Sequence, residues 1–367
     1  MTDGLARRRT APLVLRRLRN QGIVGGIREP PGAVVARLGA VQAQDELGAL
    51  WAVGLRTGGA TEAEVRQAIA AGQIVRTWPN RGTLHFVAAA DARWMIELLA
   101  PRSIARNQRR QAELGLDAAV LRRAEKVVVG ALQGGRQLAR NVIYRLLEAS
   151  HVATAGQRGY HILWRLGQAG ILCFGPPAAR QQTFALLDEW APDALPMARE
   201  AALAELARRY FTSRGPATAQ DFAWWSGLAS ADVKAAVEAA APRLAREAIE
   251  GQVFWSPPDE PATAGKAATA AAHLLPSFDE YLLAYKDRAA VLAPEHVTLV
   301  APGGNGLFQP IVVIDGRVAG TWKRVLETDA VTVATTPFAS WSTTERRALR
   351  SAAGRYARFL DRSLLPA

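Results

Sequence analysis

The chain has 367 residues, 49% hydrophobic and 21% charged, the balance of a folded rather than a disordered protein, at a length where several structural units are expected. A formal net charge of +12 and a pI near 10.6 exceed what solubility demands and point to a polyanionic partner such as nucleic acid, an Arg-rich genome being the competing explanation. No apolar run approaches the roughly 20 residues of a membrane helix, and the Arg-rich start lacks a signal-peptide apolar core, so a cytoplasmic, nucleoid-associated location is expected. One Cys, Cys173 in an apolar strand-like run, and five scattered His exclude a disulfide framework and a zinc site of the usual spacing; no metal and no cofactor are expected.

In chain order, helical spacing of apolar residues predicts helices over 12–20, 31–44, 47–56 and 61–71. Pro31 suits the first turn of the second, and Thr61 with Glu64 has capping-box spacing. Strands at 74–78 and 83–87 flank the turn Pro79-Asn80-Arg81-Gly82. At the end of the second helix stands Gln42-Ala43-Gln44-Asp45, polar side chains placed where they can face a ligand. Helices over 141–150 and 157–169, ended by Gly170, precede strands at 171–174 and 183–187 around a wing at 175–180. After the linker 190–196, helices over 198–212, 218–226 and 230–239 and strands at 245–249 and 252–255 repeat the pattern.

The fold class expected is therefore α+β, mainly helical: three tandem winged helix-turn-helix modules at 1–115, 116–192 and 193–260, then a different region at 273–367. That region, reached through the low-complexity linker 261–272, carries an Asp315-Gly316 hairpin of the type I′ kind, a strand at 331–335 and an Arg-rich helix over 344–362. Arginines cluster at 7–9 and 16–19, at 102–110 and at 346–362, separated patches suited to a long phosphate backbone.

Four segments carry a resemblance: Val41-Gln42-Ala43-Gln44-Asp45; Arg81-Gly82-Thr83-Leu84-His85; 274–288; and Gly304-Asn305-Gly306-Leu307-Phe308 leading into Asp315-Gly316-Arg317 and Gly320-Thr321-Trp322. In this order the chain resembles the AlkZ-like family of bacterial winged-helix DNA glycosylases over nearly its whole length, in the Gln-x-Gln branch; another branch has Gln-x-Asp. The resemblance implies a concave basic surface around duplex DNA, excision of bulky alkylated purines, unhooking of interstrand crosslinks, and catalysis at Gln42 and Gln44.

The chemistry accommodates amides where most glycosidases use carboxylates. An N7-alkylated purine is already a cationic leaving group, so no general acid is needed; what remains is to place a water against an oxocarbenium-like sugar. Spacing at i, i+2 does not share a helical face, so the pair is expected at a helix end or loop. Asp45 is a second candidate base, with helix N-cap as its stronger reading. Candidate DNA contacts are Arg81, His85, Lys286, Arg288, Trp322, Lys323 and Arg324. Each has a structural alternative: His85 structural support, Trp322 the core. Asp279 and Glu280 read as a carboxylate pair, or as surface residues or salt-bridge partners of Lys286 or Arg288, and of Trp224 and Trp225 one is expected to be exposed. The partner expected is double-stranded DNA bearing alkylated purines, bound by a monomer. A non-catalytic winged-helix DNA binder, a regulator or lesion sensor, is the competing class.

Overall fold

The computed structural model describes residues 12–178, 181–259, 271–303 and 306–366. Arg7 to Arg9, most of the expected 261–272 linker, Arg180 at the second wing and Asn305 lie outside the described residues.

A helix over 12–20 (α1) leads to α2 (Pro31–Leu38). The predicted continuation of α2 to residue 44 does not form. Gly39 turns the chain out at φ 74°, a left-handed conformation open to glycine, and β1 (Val41–Gln42) follows as a short strand. Then come α3 (Glu46–Thr57) and α4 (Glu62–Ala70), the latter with its Thr61–Glu64 capping box. The hairpin β2 (Ile74–Asn80) and β3 (Thr83–Ala88) turns at Arg81 and Gly82, both at positive φ.

Two helices were not anticipated, α5 (Ala92–Glu113), which contains Pro101, and α6 (Ala118–Leu132). Next are β4 (Leu138–Ala139), α7 (Arg140–Ala149), α8 (Arg158–Gln168), β5 (Leu172–Ala178), β6 (Gln181–Leu186) and the single turn α9 (Leu187–Trp190). The third stretch holds α10 (Arg199–Arg214), α11 (Ala219–Ser226), α12 (Ser230–Ala240), β7 (Ala245–Ile249) and β8 (Gln252–Ser256). The last third runs β9 (Ala272–Leu275), α13 (Glu280–Leu283), α14 (Val297–Val300), β10 (Ile311–Ile314), β11 (Arg317–Leu326), β12 (Ala330–Pro337), α15 (Thr343–Phe359) and β13 (Ser363–Leu365). Asp315 and Gly316 both take positive φ between β10 and β11, as a tight I′ turn requires.

The hairpins of the first two stretches are not separate. β2 pairs β5 at Arg76↔Phe174, giving one six-stranded sheet in the order β1-β3-β2-β5-β6-β4. The last third makes its own five-stranded sheet, β13-β12-β11-β10-β9. Its strands and α15 pack on α3, where Trp51, Trp322, Tyr356 and Phe359 share one core. A second core gathers Trp94, Tyr210, Phe211, Phe222 and Trp225 from α5, α10 and α11. Cys173 is buried in β5, its thiol proton held more tightly by burial. No helix among the described residues is long and apolar enough to cross a membrane.

Candidate active site

Gln42 and Gln44 lie on the extended segment that joins the sheet to α3. In extended chain, residues i and i+2 point the same way, so a spacing that would separate them on a helix brings them together here. Gln42 pairs across β1 and β3 with His85, its side chain almost fully buried at 6% exposure, while Gln44 is exposed.

The backbone fixes which way both amides face. The Gln44 N–H can only donate, and it reaches Gln42 Oε1 at 3.2 Å. The other end of the Gln42 amide is therefore its NH2, which donates to Gln44 Oε1 at 2.6 Å. Gln44 is left with its NH2 and one oxygen lone pair for a ligand. The segment is clamped on both sides: Ala43 N–H donates to Leu84 O at 2.8 Å, and the Arg76 guanidinium donates to Ala43 O at 2.8 and 3.1 Å while binding Glu46 at 2.7 Å. Asp45 caps α3, accepting from Gly48 N–H at 3.2 Å, and sits 3.6 Å from Arg324. Both contacts fit its structural reading.

Behind Gln42 lies a buried ionic network. Glu280 accepts from Gln42 N–H (3.2 Å), from Arg214 Nη2 (2.7 Å) and Nε (3.1 Å), and from Trp225 Nε1 (2.9 Å). Burial alone would raise the Glu280 carboxyl, but the Arg214 cation, with His85 and the Gln42 amide, holds it below its ordinary value. Arg214 also binds Leu38 O and Ala40 O, so the C-terminal end of α10 grips the turn from α2 into β1. Beside it, Arg56 of α3 makes a two-pronged pair with Asp279 at 3.0 and 2.8 Å. Gln21 links Arg56 to Tyr285, whose hydroxyl donates to Arg214 O. Asp279 and Glu280 are thus neither surface residues nor partners of Lys286 or Arg288.

His85 is 1% exposed, which removes it as a phosphate contact. Its Nδ1 faces Thr83 O at 3.0 Å, and burial pulls its pKa down to about 4 despite the neighbouring Glu280, so it is a neutral support under Gln42. Trp322 is likewise core rather than a groove probe: it is 1% exposed, donates to Leu275 O at 2.8 Å and meets Tyr356 edge-on.

The other candidate contacts stay at the surface. Lys286 and Lys323 are exposed. Arg288 is half-buried between the Trp224 and Phe308 rings, and Trp224 is the exposed member of its pair at 43%, against 1% for Trp225. Arg81 packs against Gly227 and reaches Trp224 O at 3.4 Å. Arg324 is turned toward Asp45. The residues that sequence reasoning missed are Arg214 and Arg56, whose partners stand 66 and 223 positions away. The one local signal was a charged residue beside an apolar pattern. Among the described residues no cluster of His, Cys, Asp and Glu suits a metal ion.

Residues 35–359 match the model of the family described as DNA glycosylase AlkZ-like. The chain is 29% identical over 354 residues to a Streptomyces sahachiroi protein named an interstrand DNA cross-link repair glycosylase, covering 92% of this chain and 94% of that one. Its fold is similar to the solved structure of the Streptomyces sahachiroi DNA glycosylase AlkZ, with a TM-score of 0.80, 25% identity and coverage of 97% and 99% of the two chains. With the sheet, the buried network and the Gln pair in place, the chain belongs to the AlkZ-like DNA glycosylase family.

Proposed function

We propose that this protein is a monofunctional DNA glycosylase that hydrolyses the N-glycosidic bond of cationic N7-alkylated purines in duplex DNA, including bulky adducts and interstrand crosslinks. The observation that carries this reading is the interlocked Gln42–Gln44 pair, one amide buried and backbone-oriented, the other presenting a free lone pair and NH2 to solvent. Gln44, held by Gln42, accepts from a water and aims its oxygen at C1′. The C1′–N9 bond breaks with its electron pair going to the purine, which leaves neutral because that pair discharges the positive charge of its N7-alkylated imidazolium ring. Water adds to the sugar, and the proton it sheds passes to solvent. No group need protonate the base; Glu46 binds Arg76 and Glu280 binds Arg214, and Asp45 caps α3 through one carboxylate oxygen.

The DNA would lie on a concave basic surface assembled from three winged-helix units, at 1–115, 116–192 and 193–260, with the region 273–367 closing one side and Arg81, Lys286, Arg288 and Lys323 at its edge. A monomer suffices for this arrangement.

Purified protein, incubated without added metal with duplex DNA bearing one N7-methylguanine, is expected to yield an abasic site that breaks on alkaline heating. Gln42→Ala and Gln44→Ala should each slow this by on the order of 100-fold, the cost of misplacing a group at the reacting centre, with duplex affinity nearly unchanged. Absence of abasic product from simple and bulky N7 adducts alike would refute the reaction; full activity in both variants would refute the site.

A further inference from the structure

Gln44 lines a small cavity of about 80 Å³ together with Arg140, Tyr144, Tyr160, Thr83 and Gln182. Arg140, Tyr144 and Tyr160 come from α7 and α8, elements remote in sequence from the Gln pair. The arrangement is built. The Tyr144 ring lies directly on the α8 backbone at Gly159, where a Cβ would come within 2.5 Å of Tyr144 Cζ, so the ring position depends on that glycine. Tyr160 is 49% exposed beside it.

Arg140 lies near both phenols, pulling their pKa values down, but burial is the larger effect and raises both, so the hydroxyls stay protonated donors at neutral pH. Among the described residues, neither the Arg140 guanidinium nor either hydroxyl makes a hydrogen bond. The next cation, Arg76, is buried and neutralised by Glu46. The carboxylate in the vicinity, Glu46, is committed to Arg76 and Gln182 at 2.7 and 3.0 Å. The cavity therefore presents the Arg140 charge and two phenol donors with no carboxylate free to meet them, beside the spare amide of Gln44, a donor set suited to a phosphate's oxygens.

We infer that Arg140, Tyr144 and Tyr160 form a subsite for one phosphodiester of the damaged strand next to the lesion, holding the sugar in position against Gln44. The inference rests on the glycosylase reading above. Gripping a phosphate one nucleotide from the reacting sugar fixes the distance between C1′ and the water that Gln44 holds. These are positioning residues: they need not touch the base, and so the subsite serves adducts of any size.

The test uses duplexes with one N7-methylguanine and a single neutral methylphosphonate placed in turn at each phosphate flanking it. For wild-type protein one placement should slow single-turnover cleavage about tenfold, the worth of a charge-assisted contact. Arg140→Ala should be slowed about tenfold on the all-phosphate duplex and lose nothing further at that placement; Tyr144→Phe and Tyr160→Phe should show smaller losses at the same placement. Arg140→Lys, retaining the charge without the fork, should recover part of the rate. The inference is overturned if no placement matters, or if Arg140→Ala keeps the wild-type loss at the sensitive one. Fluorescence anisotropy on the same duplexes reads the subsite independently of chemistry. If the wild type cuts nothing yet binds the sensitive duplex more weakly and Arg140→Ala does not, the glycosylase reading fails and the subsite stands.

Discussion

Glu280 is the position where a single change should reveal most about how the site is held. Its partner Arg214 has 0% side-chain exposure and Glu280 itself 2%. Replacing Glu280 with Gln keeps the shape and an acceptor for Trp225 but leaves a guanidinium buried without a counter-charge. Removing one member of a buried pair costs about 3–5 kcal/mol, much of it the penalty on the abandoned partner. Spread over the unfolding entropy of a chain this long, that corresponds to a fall of roughly 4–6 °C in unfolding temperature.

The assay is thermal unfolding at pH 7 followed by circular dichroism, with the double variant Arg214→Met/Glu280→Leu alongside the singles. The double variant removes both charges, so it should recover much of the loss, with a coupling of about 2 kcal/mol or more between the sites. Glu280→Gln unfolding within a degree of wild type, or strictly additive losses in the double variant, would refute the picture of a paired, desolvated ion pair supporting Gln42.

Stability should also depend on pH through two buried imidazoles. Burial brings both His85 and His273 down to about 4, with Arg355 and Arg56 adding to the effect at His273, and Arg81 and Arg214 opposing Glu280 at His85. Since each folded value lies below the unfolded value near 6.5, the neutral form is the one folding favours. The contribution is complete above pH 6.5 and declines as pH falls toward 4, by at most about 3 kcal/mol per histidine. Equal unfolding temperatures at pH 7.5 and 5 would contradict this, and His273→Phe should flatten the profile. Trp322→Phe should lower stability by about 1–2 kcal/mol through its lost hydrogen bond and reduced packing while leaving duplex affinity as it was. Lys323→Ala should do the opposite, sparing stability and reducing the slope of log affinity against log salt by about 0.9; affinity loss in a folded Trp322 variant would restore it to the DNA surface.

How much of this was legible in the sequence depended on the range of the cause. Local chemistry read correctly: Asp315-Gly316 turns as its dihedrals demand, Thr61 caps α4, Asp45 caps α3, and the helices and strands between 199 and 256 fall where their periodicity places them. The helix expected over 31–44 failed because Val41 continues the helical apolar spacing of Val34, Val35 and Leu38, yet its burial comes from pairing with Phe86 in the sheet. α5 went unseen because Pro101 stands near its middle and its C-terminal half is largely exposed. Glu280 and Asp279 showed as charges, but their partners were misassigned to Lys286 and Arg288, close in sequence, since nothing local announces Arg214 or Arg56. The Gln pair itself was visible; the network that holds it was not.

That network also bears on why position 42 carries an amide. The Gln42 N–H stands 3.2 Å from an ionised, buried Glu280, whose charge Arg214 already balances. A second carboxylate at 42 would meet a like charge in a desolvated site, and its pKa would be driven up. Position 44 is exposed, where a carboxylate meets no such desolvation penalty. Gln42→Glu should therefore be nearly inactive at pH 8, where an ionised side chain can no longer donate to Gln44, and should regain activity as pH falls and the protonated carboxyl again offers both a donor and an acceptor. Gln44→Glu should show no such recovery and should fold as well as wild type. The pH–rate profiles of the two variants on an N7-methylguanine duplex decide it: Gln42→Glu matching wild type at pH 8 would mean that Glu280 does not dictate the chemistry of its neighbour.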